Sequence, residues 1–99
     1  MKKIGIVTVL YNSSAVIKEF FQTLGEQNYK NMILYVVDNN STDDSLQVCK
    51  EYENFLQIPV KYIINNENYG VAKGNNIGIK EAFNDNCDYI LLSNNDIKL

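Results

Sequence analysis

The residues that could take part in chemistry are concentrated in four short polar segments, residues 8–12, 38–41, 65–75 and 94–96. These segments supply carboxylates, side-chain amides, hydroxyls and one lysine. A carboxylate such as that of Asp38 can accept a hydrogen bond from a ring N–H group. The chain contains no histidine, which removes the commonest general base and the commonest transition-metal ligand.

The glycines exclude two common nucleotide-binding sites. A Rossmann site needs GxGxxG directly after the first strand, but the apolar run Ile4–Leu10 is followed by Tyr11-Asn12-Ser13-Ser14. A Walker A sequence is also absent. Gly70, Gly74 and Gly78 recur at a period of four residues, which places them on one face of a helix. That spacing suits either close helix–sheet packing or backbone approach to a ligand.

Charge and composition narrow the function further. The net charge is −3, the pI is near 4.8, and there is no run of Lys or Arg, so binding to nucleic acid is disfavoured. Met1-Lys2-Lys3 resembles the start of a signal peptide, but Ile4–Leu10 is too short for a signal or a membrane span. Cys49 and Cys87 form neither a CxxC motif nor a disulfide framework. We therefore expect a reduced, cytoplasmic location.

Apolar runs typical of strands buried on both faces alternate with helical patterns. The predicted strands are residues 4–10, 32–37, 60–64 and 88–92. Apolar residues between 16 and 24 predict a first helix, for which Asn12 or Ser13 supplies the N-cap.

Two further helices follow the second and third strands. The second is expected to be capped by Ser41 or Thr42, with Asp43 and Asp44 in a first turn where the helix dipole favours them. The third is expected to bear the residues Ala72, Asn75, Ile79 and Phe83.

Strand–helix alternation with buried strands predicts an α/β fold with a doubly wound parallel sheet, βαβαβαβ in the order 3-2-1-4. Strands 1 and 4 are then neighbours at the switch point, where ligands bind outside the carboxyl ends of the strands. All four polar segments follow strands, so they are expected to converge there. This inference names no ligand.

Taken in order, the four segments resemble family 2 glycosyltransferases of the GT-A fold. They are Thr8 to Asn12, Val37 to Asp43, Asn68 to Gly78, and Asn94-Asn95-Asp96, and the resemblance covers essentially the whole chain. It implies a single nucleotide-sugar-binding domain over residues 1–99, truncated relative to a complete glycosyltransferase.

The resemblance also implies ligands and roles. The donor would be a UDP- or dTDP-linked sugar, and the acceptor of inverting transfer would be a glycan, glycoprotein or lipid-linked sugar. Residues 8–12 would line the base and ribose pocket, and Asp38 would accept a hydrogen bond from the pyrimidine ring. The positions assigned to nucleotide binding are Thr8, Leu10, Tyr11, Asn12, Asp38, Asn40, Asn68, Gly70, Lys73, Asn75, Asn94 and Asn95.

Asn94-Asn95-Asp96 occupies the place of the family's DxD motif, where a carboxylate holds Mn²⁺ or Mg²⁺ against the diphosphate. The first acid of that motif is Asn94 here. An amide oxygen ligates a hard cation without charge, so metal affinity should fall. Asp96 is assigned as the metal ligand.

In this family the general base is an Asp or Glu beyond the DxD-like motif, carried with the acceptor-binding elements. We therefore assign no catalytic residue and expect the chain to stop before the acceptor half. Two alternatives stay open: a module that binds the nucleotide without transfer, and a self-assembling scaffold with a vestigial pocket. A sugar nucleotidyltransferase is disfavoured, because its glycine-rich loop after strand 1 is absent.

Simpler structural interpretations also apply to single residues. Any of Asn39, Asn40, Asn66 and Asn76 can be a turn former, and Lys73 can be a solvated lysine. The last strand, with Tyr89 to Leu92, is expected to lie at an open edge of the sheet. Exposed apolar edge strands pair with other chains, so the sequence predicts a homo-oligomer.

Overall fold

A computed structural model describes residues 2–95. Strands and helices alternate along the chain as β1 (Ile4–Leu10), α1 (Ser14–Gly25), β2 (Met32–Asp38), α2 (Ser45–Tyr52), β3 (Val60–Ile64), α3 (Val71–Asn84) and β4 (Tyr89–Leu92). A short 3₁₀ helix, Glu53–Phe55, follows α2. None of the helices within this described part of the chain has the length and hydropathy needed to cross a membrane.

The strands form one parallel sheet in the order β3-β2-β1-β4. Ile4 of β1 lies opposite Met32 of β2 on one side and Tyr89 of β4 on the other. This confirms the predicted doubly wound α/β sheet of order 3-2-1-4. The carboxyl ends of all four strands therefore share one edge of the sheet.

The period-two alternation of β1 and β2 divides the core into two layers. On one face Ile6 and Leu10 pack with Ile17 and Phe21 of α1 and with Cys49 of α2. The other face is covered by α3, where Ala82 packs with Val7, Tyr35 and Val37. The sheet is thus buried on both sides at its two central strands, as their continuous apolar runs predict.

Small residues let α3 lie close to the sheet. Gly74 and Gly78 are buried, and a Cβ atom added at Gly78 would lie 2.3 Å from Cγ1 of Val7. The packed face consists of Gly74, Gly78 and Ala82, because the valines of β1 fill the remaining space. Phe83 is 75% exposed. The sequence analysis named Phe83 among the residues of this helix, but its side chain does not pack on the sheet.

The predicted cap of α2 is wrong. This helix begins at Ser45 with Asp44 as its N-cap, rather than after Ser41 or Thr42. The Asp43 carboxylate accepts the Ser45 N–H at 2.9 Å, so Asp43 stands just before the helix instead of in its first turn. Tertiary hydrogen bonds hold residues 41–43 in a loop, as described below.

Both cysteines are free thiols, Cys49 buried and Cys87 half-buried. Burial raises the pKa of Cys49 to about 12, which keeps it protonated at neutral pH. It therefore acts as a small core residue.

Candidate functional site

A cavity of about 680 Å³ lies at the carboxyl ends of the strands. Its walls come from the ends of β1, β2 and β4 and from the first residues of α1 and α3. They consist of Val9, Tyr11, Asn12, Ser13, Ala15, Val16, Asn39, Asn68, Gly70, Val71, Asn75, Asn94 and Asn95. Six of these are asparagines, so the polar part of the wall is made chiefly of neutral amides.

The residues assigned to nucleotide binding fall into three groups. Those that line the cavity are Tyr11, Asn12, Asn68, Gly70, Asn75, Asn94 and Asn95. Thr8, Leu10 and Asp38 are buried behind the wall, whereas Asn40 and Lys73 are exposed outside it.

Asp38 faces away from the cavity. It is only 4% exposed, and its Oδ1 accepts hydrogen bonds from the Ser41 hydroxyl at 2.6 Å and the Ser41 N–H at 3.3 Å. Asp38 pairs with Leu10 in the sheet, so it belongs to the side covered by α1 and α2. Its carboxylate holds the loop that follows β2.

Asn39 is the residue that brings the end of β2 to the cavity. Its side chain is 1% exposed and borders the cavity. Its Nδ2 donates to the Gly70 carbonyl at 3.0 Å, and its Oδ1 accepts from Nδ2 of Asn65 at 2.8 Å. The sequence analysis treated Asn39 as a turn former. Turn formation instead fits Asn40, whose φ is 61°.

Asn12 joins the loop after β1 to the loop after β2. Its Oδ1 accepts the N–H groups of Thr42 at 2.8 Å and Asp43 at 3.3 Å. Its own N–H donates to the Ser41 hydroxyl at 3.0 Å. With φ at 49°, it occupies the left-handed region that asparagine tolerates better than most residues. Asn12 therefore lines the cavity and also fixes the neighbouring wall.

Asp43 joins the starts of α1 and α2, because its carboxylate accepts the N–H groups of Ser14 and Ser45. Burial opposes its ionisation, but hydrogen bonds from Ser45 and Ser14 outweigh that effect and lower its pKa. The Ser45 hydroxyl also accepts the Ser13 N–H at 2.6 Å. The starts of α1 and α2 are thus fastened to each other beside the cavity.

The segment after β4 is tied to β1 by Asn95. Its Nδ2 donates to the Thr8 hydroxyl at 3.1 Å and to the Val9 carbonyl at 2.8 Å. Thr8 is fully buried, so its part is to hold Asn95. Asn94, beside it, is exposed at the cavity wall.

The metal assignment falls on Asp96, which lies outside the described residues. Within residues 2–95, no group of three or more His, Cys, Asp or Glu side chains is placed to hold a metal ion. The amide oxygens of the wall, that of Asn94 included, are a type of ligand that hard cations such as Mg²⁺ accept. The donor set is therefore compatible with such a cation but supplies no charge.

The first turn of α3 borders the cavity through Val71. Gly70 precedes it with φ 85°, and the Gly70 N–H donates to Oδ1 of Asn68 at 2.9 Å. N–H groups in the first turn of a helix lack intrahelical acceptors and favour anions. Lys73 lies outside the wall, with its Nζ 4.2 Å from the ring centre of Tyr69.

The family model described as "Glycosyl transferase family 2" matches residues 5–98. The chain belongs to this family. Among its curated relatives is poly(ribitol-phosphate) beta-N-acetylglucosaminyltransferase TarS of Staphylococcus aureus, 33% identical over 98 residues. Glycosyltransferase GlyA of Streptococcus pneumoniae is 30% identical over 94 residues.

Solved structures of glycosyltransferases share the fold. The mannosyltransferase PcManGT of Pyrobaculum calidifontis, in complex with GDP-Man and Mn²⁺, superposes with a TM-score of 0.84 at 20% identity. S. aureus TarS 1-349, in complex with UDP-GlcNAc, superposes with a TM-score of 0.80 at 29% identity. Each alignment covers 95% of this chain. The sheet and its helices are therefore those of a GT-A glycosyltransferase.

The chain spans only a part of the proteins it resembles. The alignment with TarS covers 91% of this chain but only 17% of TarS. The alignment with GlyA covers 89% of this chain but only 13% of GlyA. In the two solved structures this protein corresponds to 27% and 26% of the chain. Residues 5–98, which the family model matches, include all residues that line the cavity.

Proposed function

We propose that this chain is the donor-binding part of a glycosyltransferase that uses a nucleotide-diphosphate sugar, UDP- or dTDP-linked, and a divalent cation. The sugar would pass with inversion to an acceptor such as a glycan, glycoprotein or lipid-linked sugar. The general base and the acceptor site would come from elements other than those described here.

The cavity at the switch point of the sheet is the observation that supports this proposal. It lies where ligands of open α/β sheets bind, and its walls come from the four segments that resemble the family and from the start of α1. The TarS structure that shares this fold was solved with UDP-GlcNAc. A donor of that class would place its base against the ends of β1 and β2 and its diphosphate toward Asn94 and the start of α3.

We infer the tasks of the residues around the donor from the positions of their side chains relative to the cavity. Asn39 rather than Asp38 would meet the base, because only Asn39 borders the cavity. The first-turn N–H groups of α3 would face the diphosphate, and Lys73 would reach it only by leaving the Tyr69 ring. Asp96 and the amide oxygen of Asn94 would hold Mn²⁺ or Mg²⁺. When bound, such a cation neutralises the diphosphate leaving group.

Calorimetric titration with UDP and dTDP, each with and without Mn²⁺, tests the proposal. We expect both nucleotides to bind and Mn²⁺ to strengthen the binding. Asn39→Leu should weaken nucleotide binding in either condition, whereas Asp96→Ala should remove only the gain from Mn²⁺. Asn84→Ala, an exposed change at the far end of α3, serves as the matched control and should bind like the wild type.

Turnover separates the alternatives. Hydrolysis of, or transfer from, a UDP-sugar would identify an active enzyme, and nucleotide binding without either would identify a binding module. If a folded chain bound neither UDP nor dTDP, the cavity would belong to a scaffold and the proposal would fail.

A further inference from the structure

We propose that the Gly70 carbonyl, supported by the NH₂ group of Asn65, holds the Asn39 amide in one orientation, and that this orientation makes the cavity discriminate between uracil and cytosine nucleotides. The inference rests on the proposed nucleotide-binding function. It concerns two asparagines that follow different strands, β2 and β3, and the carbonyl group that precedes α3.

The three groups form a hydrogen-bond chain with one direction. Nδ2 of Asn65 donates to Oδ1 of Asn39 at 2.8 Å, and Nδ2 of Asn39 donates to the Gly70 carbonyl at 3.0 Å. The main chain fixes Asn65 as well, since its N–H donates to the Asp38 carbonyl at 2.9 Å. Both side chains are buried, so water does not readily replace these partners.

The Gly70 carbonyl sets the direction of this series of hydrogen bonds. A backbone carbonyl can only accept a hydrogen bond, so Asn39 must turn its NH₂ group toward Gly70. Its oxygen then points at Asn65, which must present its own NH₂ group. A flipped Asn39 would set two oxygens together at Gly70 and two NH₂ groups together at Asn65. Each buried group left without a partner costs about 1–3 kcal/mol, so one orientation is strongly favoured.

A fixed amide can distinguish two pyrimidines that a rotating amide would not. After these bonds, Asn39 retains one N–H and one lone pair. Uracil presents a ring N–H beside carbonyl oxygens, whereas cytosine presents a ring nitrogen acceptor beside an amino donor. The ribose and diphosphate hold the base in one position, so the two bases require opposite orientations of the amide.

Two substitutions at residue 65 separate orientation from packing. In Asn65→Asp the carboxylate can only accept, so it competes with the Gly70 carbonyl for the NH₂ group of Asn39. Hydrogen bonds to an ionised group are about twice as strong as neutral ones, so the Asn39 amide should turn toward residue 65. Leucine is similar in size to asparagine but forms no hydrogen bond. In Asn65→Leu the Gly70 carbonyl therefore still orients Asn39, and only the stability of the protein should fall.

The experiment measures the affinities of UDP and CDP for the wild type and both variants, with urea unfolding to establish that each is folded. We expect the wild type and Asn65→Leu to share one UDP-to-CDP preference. In Asn65→Asp this preference should fall by about tenfold or more, as expected from exchanging one hydrogen bond. The side-chain NH₂ signals of Asn39 in ¹⁵N NMR should shift in Asn65→Asp even without nucleotide.

Asn39→Leu provides a second test if Asn65→Asp does not fold, and it should bind UDP and CDP about equally. The inference is overturned if the wild type does not discriminate between UDP and CDP, or if folded Asn65→Asp or Asn39→Leu keeps the wild-type preference. If the folded wild type binds neither nucleotide, the proposed function fails and this inference fails with it. The two failures are therefore distinguishable.

Discussion

Asp38 and Asn39 are neighbours in the chain, but their side chains serve opposite sides of the sheet. The Asp38 carboxylate accepts both hydrogen bonds of Ser41 on the side of α1 and α2. The Asn39 amide lies against α3, 3.2 Å from where a Cβ atom of Gly74 would stand. One residue therefore holds a loop, and the next faces the cavity.

Asp38→Ala should consequently reduce stability more than nucleotide binding. Its loss leaves the Ser41 hydroxyl and N–H without their acceptor, which costs about 1–3 kcal/mol of unfolding free energy. Urea unfolding measures that cost, and calorimetry with UDP measures binding in the same preparation. Asn39→Ala is the comparison and should weaken UDP binding more. Unchanged stability combined with complete loss of UDP binding in Asp38→Ala would show that the carboxylate contacts the base.

Thr8→Val tests the support of the segment after β4. Valine has nearly the shape of threonine but cannot accept the hydrogen bond from Asn95, so we expect a loss of about 0.5–1.5 kcal/mol of unfolding free energy. UDP binding should weaken as well, because Asn94 and Asn95 border the cavity. Thr23→Val is the matched control. Thr23 is half-buried on α1 and lies outside the cavity wall, so we expect this change to alter stability by less than about 0.5 kcal/mol. Equal effects of both substitutions would contradict this role of Thr8.

Sequence reasoning located the wall of the cavity better than its chemistry. The four ordered segments pointed to Tyr11, Asn12, Asn68 and Asn94, which all line it. Asn39 was treated as a turn former, and the base contact was assigned to Asp38 on the resemblance alone. Because side chains alternate between the two faces of a strand and β2 continues to Asp38, Asp38 faces the side of α1 and α2 whereas Asn39 borders the cavity.

At the scale of the elements, α3 contacts β1 closely because glycines without a Cβ atom lie on the face of α3 that packs on the sheet. A Cβ atom at Gly78 would lie 2.3 Å from Cγ1 of Val7, which is far inside van der Waals contact. At Gly70 an added Cβ would meet nothing within 4 Å, but φ there is 85°. Substitution should therefore be costly at both glycines for different reasons, packing at Gly78 and backbone conformation at Gly70.

A double-mutant cycle between Gly78→Ala and Val7→Ala distinguishes these reasons. Gly78→Ala alone should cost about 1–3 kcal/mol through overpacking. Removing the two Val7 methyl groups makes room for the new methyl, so the double variant should be at least about 0.5 kcal/mol more stable than the sum of the single changes predicts. The control cycle, Gly70→Ala with Val7→Ala, should be additive. Additivity in both cycles would mean that α3 moves away from the sheet instead.

Asp85, just after α3, ties this helix to the strands beneath it. Its carboxylate contacts Nζ of Lys61 at 2.6 Å and the hydroxyl of Tyr35 at 2.8 Å. The hydrogen bond from Lys61 and then that from Tyr35 lower the pKa of Asp85 below its ordinary value of 3.8.

A carboxyl group with a lowered pKa in the folded state stabilises the fold above its unfolded pKa and loses that contribution as the pH falls through the folded value. The stability difference between the wild type and Asp85→Asn should therefore be constant above about pH 5 and shrink below the ordinary value of 3.8. Urea unfolding between pH 2 and pH 7 measures it. A difference that does not change with pH would show that the ionised form of Asp85 contributes nothing.

The order of the elements was predictable because it depends on local patterns and general rules. Apolar β-branched runs marked the strands, and right-handed crossovers with one reversal of direction after the third strand led to the order 3-2-1-4. The start of α2 was not predictable in this way. Ser41 and Thr42 are good N-cap residues, but Asn12, some 30 positions earlier, accepts the N–H groups of Thr42 and Asp43. That tertiary contact delays the helix until Ser45.

At the scale of the whole molecule, the two edges of the sheet differ in what surrounds them. Within residues 2–95, β4 pairs only with β1 and β3 pairs only with β2. Beside β4 lies an apolar groove of about 240 Å³, to which Phe20, Leu24, Met32 and Leu91 contribute. Leu91 itself is 54% exposed. The β4 edge thus combines unpaired main-chain groups with exposed apolar surface, the combination that promotes association of sheets.

We therefore predict that this chain associates with itself through β4. Leu91→Lys places a charge on the groove and should shift the population toward monomers, because a buried lysine without a partner is costly. Ile64→Lys on β3 is the matched control, since Ile64 is 61% exposed at the opposite edge, and it should leave the assembly unchanged. Sedimentation velocity over a range of concentrations measures both. A wild type that stays monomeric at high concentration would rule out association, whereas dissociation by Ile64→Lys alone would move the interface to β3. The arrangement of the edges favours β4, because there the groove extends from the exposed strand to the buried residues of the α1 layer.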